Sequence, residues 1–446
     1  MTPALRIVEG ADDARRTVLL RDGDALAEPE LPERVQASIV ELFGEPLTAS
    51  QVVTRIIDDV RREGDAAVRR YSERLDGSSY EAMEVTHEEI DAAFDDVPVD
   101  LLEALEVALD RVHRYHVVQA EHGPRSFTHN GIGMTVNAIQ RAGIYMAGSE
   151  TVLPSTVIHT AVPAAVVEVT EIIGVTAARA DGSVHPLKLV AAHLSGMHRI
   201  FRGSGVQGIA ALAYGTESIP RVDKIFGPGN VFVTLAKRQL YGVVGIDALY
   251  GPTETLVLAD DTAAPDLCAA DLLAQAEHDE LATPVLITTN RDHAEAVAVA
   301  VEQQLADLER ATIARAAVER GGAVVAADLD EALVLANEFA PEHLCLLTAN
   351  PELLMDRVTT AGGVFVGEYS PEVLGDYVAG PSHVMPTGGT ARFAGPLSVL
   401  DFLRITSTID VSEEEFREVA PHAATLARAE GLTGHARSIE LRLEGR

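Results

Sequence analysis

The chain of 446 residues has no tryptophan and only two cysteines. Cys268 and Cys345 lie in apolar stretches, which favours two buried thiols in a reducing compartment over a disulfide framework. No run of about 18 or more apolar residues occurs, which excludes a membrane-spanning helix. The first ten residues lack a basic region followed by an apolar run, so we expect no signal peptide and a cytoplasmic location.

Basic residues are also scarce. Lys plus Arg number 35 against 68 Asp plus Glu, which gives a formal net charge of −33, and the only lysines are Lys188, Lys224 and Lys237. A hydrophobic content of 47% excludes a disordered acidic chain. A folded acidic surface with few lysines favours a protein that works in concentrated salt, and an ordinary acidic enzyme is the alternative. The charge argues against nucleic acid and anionic membranes as partners.

Short apolar runs alternate with amphipathic stretches from about residue 140 onward. This alternation is typical of βα units, and it predicts an α/β fold with two Rossmann-like parallel-sheet domains of similar build. Small helical units are expected at the N- and C-termini. Predicted strands include 144–146, 166–175, 199–202, 224–226, 255–258, 285–288, 323–326, 344–347 and 364–366, and predicted helices include 49–75, 99–118, 154–164, 186–197, 206–214, 265–280, 291–309, 329–338 and 351–359.

The stretch 271–280 carries the first candidate ligands. Gln275 and His278 are three positions apart, so they share one face of the predicted helix. An amide oxygen and an imidazole nitrogen presented together can hold a divalent metal when other ligands join them, and a solvated or hydrogen-bonded pair is the alternative. His113 and His116 have the same spacing, but no nearby acid or amide joins them, so we expect a packed helix face there.

Two glycine-rich turns follow predicted strands. Gly203-Ser-Gly205-Val-Gln-Gly208 matches G-x-G-x-x-G, and Phe226-Gly-Pro-Gly-Asn230 leads into a second helix. Such turns let backbone N–H groups approach a pyrophosphate at a helix N-terminus, although both also read as simple tight turns. Asp223 lies too early in its segment to be the acidic residue that usually accompanies this fingerprint.

Acids and histidines recur near strand starts and in a long loop. Glu342 and His343 follow a helix-ending proline, and an adjacent carboxylate and imidazole suit proton transfer, with surface residues as the alternative. The segment 369–390 is rich in Gly and Pro and contains Asp376 and His383, which suggests a functional loop. Glu430 and His435 lie near the C-terminus.

Together these stretches closely resemble histidinol dehydrogenase, from about residue 50 to the end. The motifs that carry the resemblance are Gly-Ile-Ala-Ala-Leu-Ala-Tyr-Gly-Thr at 208–216, Val-Asp-Lys-Ile-Phe-Gly-Pro-Gly-Asn at 222–230, Gly-Pro-Thr-Glu at 251–254, Asp-Leu-Leu-Ala-Gln-Ala-Glu-His-Asp at 271–279, Ala-Pro-Glu-His-Leu at 340–344, Gly-Asp-Tyr-Val-Ala-Gly-Pro-Ser-His-Val-Met-Pro-Thr at 375–387 and Glu-Gly-Leu-Thr-Gly-His at 430–435. Seven motifs in the right order make the resemblance specific.

The resemblance implies a role for each candidate residue. The implied zinc ligands are Gln275, His278, Asp376 and His435, and the acid–base residues are Glu342 and His343. The implied substrate contacts are Thr253, His383 and Glu430, joined by Gln275, His278, His343, Asp376 and His435. The implied NAD contacts are Tyr145, Gln207 and Asn230. The implied domains are a helical arm over 1–45, a first α/β domain with the metal and catalytic residues over 46–145 and 253–397, a second α/β domain on the NAD side over 146–252, and a small C-terminal domain over 398–446 that reaches the partner subunit.

The implied activity is the oxidation of L-histidinol to L-histidine through the aldehyde, with two NAD+ used in succession by a homodimer with shared active sites. Two oxygen and two nitrogen ligands without a thiolate suit Zn2+ and also accept Mn2+. The resemblance implies that the metal orients the substrate, that His343 takes the alcohol proton, and that Glu342 activates the water that attacks the aldehyde.

Three positions depart from the family pattern. Met146-Ala-Gly-Ser-Glu150 stands where the family usually has Pro-Gly-Gly, Thr253 stands where Ser is common, and Gly203-Ser-Gly205 replaces a Gly-Gly pair. Two other functions stay open at this point. One is a sister zinc and NAD dehydrogenase that acts on another primary alcohol such as a dihydroxypropanesulfonate. The other is a catalytically silent metal-binding or scaffold protein, against which the Glu342–His343 pair argues.

Overall fold

A computed structural model describes residues 5–21, 28–148 and 152–445 of the chain. The chain separates into two compact units. The first contains Met1–Glu121 and Ile139–Phe402, and the second contains His122–Ala138 and Leu403–Arg446. No helix in these described ranges is both long and apolar enough to cross a membrane.

Strands and helices alternate along much of the first unit. The strands are β1 (Ile7–Glu9), β2 (Phe127–His129), β3 (Ile132–Ala138), β4 (Arg141–Met146), β5 (Glu171–Thr176), β6 (Arg199–Arg202), β7 (Lys224–Phe226), β8 (Gly245–Ile246), β9 (Glu254–Ala259), β10 (Thr283–Thr288), β11 (Gly322–Val325), β12 (His343–Leu347), β13 (Gly363–Val366) and β14 (Leu403–Ile409). The helices are α1 (Ala11–Arg16), α2 (Glu33–Phe43), α3 (Ala49–Glu63), α4 (Asp65–Asp76), α5 (His87–Asp95), α6 (Val99–Glu121), α7 (Pro154–Val166), α8 (Pro186–Leu194), α9 (Gly205–Tyr214), α10 (Val231–Leu240), α11 (Pro265–Ala276), α12 (Arg291–Leu305), α13 (Ala311–Arg320), α14 (Leu329–Phe339), α15 (Pro351–Met355), α16 (Glu372–Tyr377), α17 (Glu413–Ala429) and α18 (Thr433–Leu443).

The first unit contains two parallel sheets, which confirms the predicted α/β fold. One sheet has six strands in the order β1-β11-β10-β9-β12-β13, and the other has five in the order β6-β5-β4-β7-β8. Their central strands are almost wholly apolar, as expected when helices cover both faces. Strand β9 has all six residues buried, and in β4 five of six are buried.

The arm over 1–45 is not only helical as predicted. Its three-residue strand β1 pairs in parallel with β11 and forms one edge of the six-stranded sheet. A strand this short leaves no readable alternation in the sequence, and the pairing with β11 decides its conformation. Helices α1 and α2 follow it.

Part of 46–145, which was predicted to share a domain with 253–397, packs with the five-stranded sheet. Helix α3 packs against α9 and α10 in the core that lies on the five-stranded sheet, and β4 is the central strand of that same sheet. The apolar face of α3 includes Val53 and Ile56, whose burial depends on that contact. Periodicity shows that a helix has an apolar face, but it does not show which sheet the face covers.

The second unit is not purely helical either. Strands β14, β3 and β2 form an antiparallel sheet, with Leu403 paired to Ala138, and α17 packs against α18. The tail over 398–446 was predicted as a separate helical unit, whereas its strand β14 depends on partners from residues 127–138. A pairing between segments so distant in sequence leaves no local signal.

Candidate active site

A cavity of about 390 Å³ in the first unit contains seven of the predicted site residues. The seven are Thr253, Gln275, His278, Glu342, His343, Asp376 and His383. His343 opens β12 and Thr253 immediately precedes β9, so the cavity lies at the amino ends of these strands. Open α/β sheets more often bind ligands at the carboxyl ends of strands. Here the start of β9 offers a backbone N–H group, that of Glu254, to the Glu342 carboxylate.

Glu342 is held by two donors from the segment before and at the start of β9. Its Oε2 accepts from the Thr253 hydroxyl at 2.7 Å and from the Glu254 N–H at 3.1 Å. Burial raises the pKa of Glu342 to about 7, while the charge of His343 and these donors act in the opposite direction. The side chain is therefore able to take up and release a proton near neutral pH.

Thr253 links Glu342 to Gln275. Its Oγ1 lies 2.9 Å from Gln275 Oε1 as well as 2.7 Å from Glu342 Oε2, and a hydroxyl has one hydrogen to donate. When Glu342 is protonated it donates to Thr253 Oγ1, which then donates to Gln275 Oε1. Thr253 stands where Ser is common in the family, and its hydroxyl forms both contacts.

His343 is oriented by the main chain of β9. Its Nδ1 lies 3.1 Å from the Glu254 carbonyl oxygen, a contact that needs a proton on Nδ1 and so leaves Nε2 of the neutral ring with a lone pair. Within the described residues this buried Nε2 has no hydrogen-bond partner. Burial lowers the pKa of His343, but the charges of Glu342, at 3.7 Å, and Asp376, at 3.8 Å, prevail and raise it to about 10.

Gln275 and Asp376 are in direct contact, with Nε2 of the amide 3.2 Å from Oδ2 of the carboxylate. Asp376 belongs to α16, a short helix inside the Gly- and Pro-rich segment that was predicted as a loop. Burial raises the pKa of Asp376, but the contact with His343 outweighs it and the pKa is lowered. This carboxylate stays ionised and is available to a cation.

His278 does not share a helix face with Gln275 as predicted. Helix α11 ends at Ala276, and His278 follows in a final turn in which its N–H donates to the Gln275 carbonyl oxygen at 3.1 Å. Its side chain is exposed, yet it lines the same cavity as Gln275. The end of α11 therefore brings Gln275 and His278, the pair predicted to bind a metal, to the same cavity.

His383 is fixed on both ring nitrogens. Nδ1 lies 2.7 Å from the Asp376 carbonyl oxygen and Nε2 lies 3.2 Å from the Thr156 hydroxyl. The ring stacks on buried His159 with centroids 4.3 Å apart, and burial lowers the pKa of His383. Sequence reasoning missed His159, because a lone histidine in an apolar helix gives no sign of its partner.

Glu430 and His435 belong to the second unit. Glu430 is the C-terminal capping residue of α17, His435 lies in the first turn of α18, and both are exposed. Their roles stay predictions. In the described part of the chain, no three His, Cys, Asp or Glu side chains group closely enough to hold a metal by themselves. Of the predicted zinc ligands, only His278 and Asp376 are His, Cys, Asp or Glu residues of the first unit. A zinc site with these two ligands therefore also needs Gln275 and a further ligand.

A second cavity, of about 500 Å³, contains the predicted NAD contacts Tyr145, Gln207 and Asn230. Pro228 lines the first cavity and its neighbour Gly229 lines the second, so the two cavities adjoin along the 226–230 turn. We name them the substrate-side and cofactor-side cavities.

The G-x-G-x-x-G turn forms one wall of the cofactor-side cavity. It links β6 to α9 as predicted, and Gly205 has a φ of 53°, which favours glycine. The Gly205 N–H donates to the Tyr145 hydroxyl at 3.2 Å, and burial raises the pKa of that hydroxyl to about 12. Gln207 Oε1 is buried and has no partner within the described residues. An unpaired buried acceptor in a cavity wall favours a ligand that brings a donor.

Asn230 and Asp223 both accept hydrogen bonds from main-chain N–H groups. Asn230 caps α10, since its Oδ1 accepts from the N–H groups of Phe232 at 3.1 Å and Val233 at 3.2 Å. Asp223 accepts from two N–H groups at the start of β4, which agrees with excluding it as the ribose-binding acid.

Of the atypical stretch 146–150, the first three residues line the cofactor-side cavity, whereas Ser149 and Glu150 lie outside the described residues.

Comparison with known proteins gives consistent matches over nearly the whole chain. Residues 45–443 match the family model described as histidinol dehydrogenase. The chain is similar to histidinol dehydrogenase from Deinococcus radiodurans, with 50% identity over 99% of this chain and 100% of that protein. It is 48% identical to the Thermus thermophilus protein of the same description, over 89% of this chain and 95% of the relative. A crystal structure of histidinol dehydrogenase from Elizabethkingia anophelis superposes with a TM-score of 0.89 at 30% identity, over 100% and 99% of the two chains.

Proposed function

Because the chain belongs to the histidinol dehydrogenase family and is an oxidoreductase of histidine biosynthesis, we propose that it oxidises L-histidinol with NAD+ and zinc in the two adjoining cavities. The observation that carries this proposal is the buried pair Glu342 and His343. The pair shares the substrate-side cavity with the implied metal ligands of the first unit.

The two catalytic residues divide the proton transfers between two oxidations. Once the His343 ring is neutral, its Nε2 takes the hydroxyl proton of the alcohol, because Nδ1 is committed to the Glu254 carbonyl oxygen. Glu342 takes a proton from water when the aldehyde is hydrated, since its raised pKa suits a base near neutral pH. The Thr253 hydroxyl donates to Glu342 when Glu342 is ionised, and it donates to Gln275 when Glu342 is protonated. NAD+, when bound, accepts a hydride in each oxidation.

Gln275, His278 and Asp376 are the residues of the first unit that would hold zinc, with His435 as a fourth ligand. The donor set fits: the amide and the carboxylate touch, His278 lines the same cavity, and oxygen and nitrogen donors without thiolate suit Zn2+ or Mn2+. The metal, when bound, orients the substrate's nitrogens. An Asp376 carboxylate engaged with a cation also adds less negative charge around His343, so that ring is more readily neutral.

We further propose a homodimer in a salt-rich cytoplasm. Glu430 and His435 are exposed on the second unit, where a neighbouring subunit can reach them. Glu430 suits the cationic amine of histidinol better than a sulfonate. Analytical ultracentrifugation tests the dimer, and a monomer at assay concentrations with full activity would contradict shared sites.

The deciding experiment follows NADH production from histidinol and NAD+ before and after treatment with a chelator. We expect two NADH per histidine, loss of activity with the chelator, and recovery with Zn2+ or Mn2+. Dihydroxypropanesulfonate serves as the comparison substrate. Turnover of that alcohol with none of histidinol would contradict the proposal, and so would undiminished activity in a preparation shown to be metal-free.

A further inference from the structure

Asp76 is a carboxylate in the cofactor-side cavity that no sequence motif singled out. It is the last residue of α4, and it lines the cavity next to Leu75. The same lining contains apolar side chains, among them Ile39, Phe43 and Ile56, and residues of the G-x-G-x-x-G turn. Asp76 is therefore a carboxylate in a cavity whose lining is partly apolar and partly polar.

The contacts of Asp76 leave one of its oxygens free. Oδ2 accepts from the Ser204 hydroxyl at 2.6 Å and lies 3.4 Å from Gln207 Nε2. Among the described residues, no donor reaches Oδ1. Burial raises the pKa of Asp76, and the Ser204 hydroxyl opposes this by stabilising the carboxylate. The side chain is thus held in place by the turn while it retains an unused acceptor.

The same wall carries a second unused acceptor and has no cation. Gln207 Oε1, in a side chain that is 1% exposed, has no hydrogen-bond partner in the described part of the chain. Neither Arg nor Lys is among the described residues that line the cavity. Two acceptors without a cation fit a ligand that brings hydroxyl or amide donors at this point, and they disfavour a phosphate there.

We infer that Asp76 accepts a hydrogen bond from a ribose hydroxyl of the dinucleotide and thereby selects NAD+ over NADP+. The inference rests on the proposed function, which places NAD+ in this cavity. In dinucleotide sites an acidic residue commonly binds the 2′-hydroxyl, whereas a nearby Arg accommodates a 2′-phosphate. Asp223 does not fill that role, because its carboxylate binds the N–H groups of Gln140 and Arg141. The acid comes instead from a helix that precedes the five-stranded sheet in sequence.

The selection depends on two differences between a ribose hydroxyl and a 2′-phosphate, namely the charge and the hydrogen-bond donors that each brings to Asp76. A ribose hydroxyl donates to Asp76, but a phosphate brings no proton at neutral pH and adds negative charge beside a part-buried carboxylate. Asparagine at position 76 keeps the size of the side chain, removes the charge and can turn an N–H toward a phosphate. We therefore expect Asp76→Asn to reduce the preference for NADH over NADPH by roughly tenfold to a hundredfold.

The test measures dissociation constants of NADH and NADPH from the fluorescence of the reduced nicotinamide ring. The proteins compared are the unmodified chain, Asp76→Asn, Asp76→Glu and the control Glu73→Gln, which changes an exposed carboxylate of the same helix. Asp76→Glu keeps the charge and is expected to keep the preference for NADH. Glu73→Gln is expected to leave both constants unchanged.

If Asp76 had only a structural role, Asp76→Asn would weaken the binding of NADH and of NADPH equally. That result, in which the ratio of the two dissociation constants does not change, would overturn the inference. It leaves NADH binding by the unmodified protein, and hence the proposed function, intact. An unmodified protein that binds neither dinucleotide would overturn both.

Discussion

Arg21 and Glu254 form a bidentate ion pair across 233 residues of sequence, with Arg21 Nη2 2.9 Å from Glu254 Oε2 and Nη1 bonded to Oε1. Arg21 Nη2 also donates to the Phe339 carbonyl oxygen at 2.6 Å, and the guanidinium lies 4.0 Å from the centre of that ring. The main chain of Glu254 contacts both Glu342 and His343. The N-terminal arm therefore fixes the strand whose main chain contacts Glu342 and His343.

Arg21→Ala is expected to lower the free energy of unfolding by about 3 kcal/mol, because it leaves the buried Glu254 carboxylate unpaired. Urea unfolding measures the change. The matched control is Arg16→Ala, whose exposed pair with Asp13 contributes less than about 1 kcal/mol. The free energy of unfolding should fall less in the double variant Arg21→Met with Glu254→Gln than the sum of its decreases in the two single variants. Equal effects of the Arg21 and Arg16 changes would contradict this.

Glu342→Gln is expected to separate the two oxidations. The first NADH still forms, because His343 takes the alcohol proton, whereas hydration of the aldehyde slows by about a hundredfold or more. Rapid-quench experiments measure how much NADH and how much histidine form per active site, and the ratio of the two amounts shows whether the second oxidation is slowed. His343→Asn should abolish both stages, and Glu352→Gln, which changes an exposed carboxylate, should alter neither. Two NADH at the normal rate from Glu342→Gln would rule out this assignment.

His278→Ala is expected to lose the metal and the activity while the fold survives. The side chain is exposed and follows the end of α11, so its removal creates no core cavity. Metal content by mass spectrometry and circular dichroism measure the two effects. The control His422→Ala removes another exposed histidine and should keep the metal. Retention of full metal content by His278→Ala would show that position 278 is not a ligand.

Asp271→Asn is expected to raise stability at pH 8. Burial raises the pKa of Asp271 from 3.8 to about 6, so the native state binds more protons than the unfolded state between these values. The stability of the unmodified protein therefore falls as pH rises through that window. The gain should be about 1 to 3 kcal/mol at pH 8 and vanish near pH 4. Unfolding at both pH values tests this, with the exposed Asp356→Asn as control, and a gain independent of pH would refute it.

Molar KCl is expected to raise the melting temperature. The net charge of −33 makes the surface repel itself, and at about 1 M salt the screening length falls to about 3 Å. Differential scanning calorimetry between 0.1 and 2 M KCl measures the shift, with sorbitol of matched osmolality as control. A melting temperature that does not change with KCl would favour the ordinary acidic enzyme.

Much of the first unit could be predicted from the sequence, because buried parallel strands such as β9 and β10 are continuous apolar runs. Glu342 and His343 were placed correctly at a strand start. The end of α11 at Ala276 was missed, because residues 277–280 are Glu, His, Asp and Glu, and no Gly or Pro among them marks a helix end. Arg21 and Asp76 were missed because each acts on residues more than 100 positions away, and Arg21 also lies outside the stretch that matches the family model.

Each of the three lysines is engaged inside the first unit. Lys188 and Lys237 are buried on main-chain carbonyl oxygens, and Lys224 bonds to Asp401. Reagents that acylate side-chain amines should consequently leave the native enzyme's lysines almost unmodified, whereas the unfolded chain exposes all three. Attachment to a support, cross-linking and acetylation through lysine therefore have little accessible target, since only Lys224, with 21% of its side chain exposed, is not buried. The rate of side-chain amine labelling consequently reports unfolding.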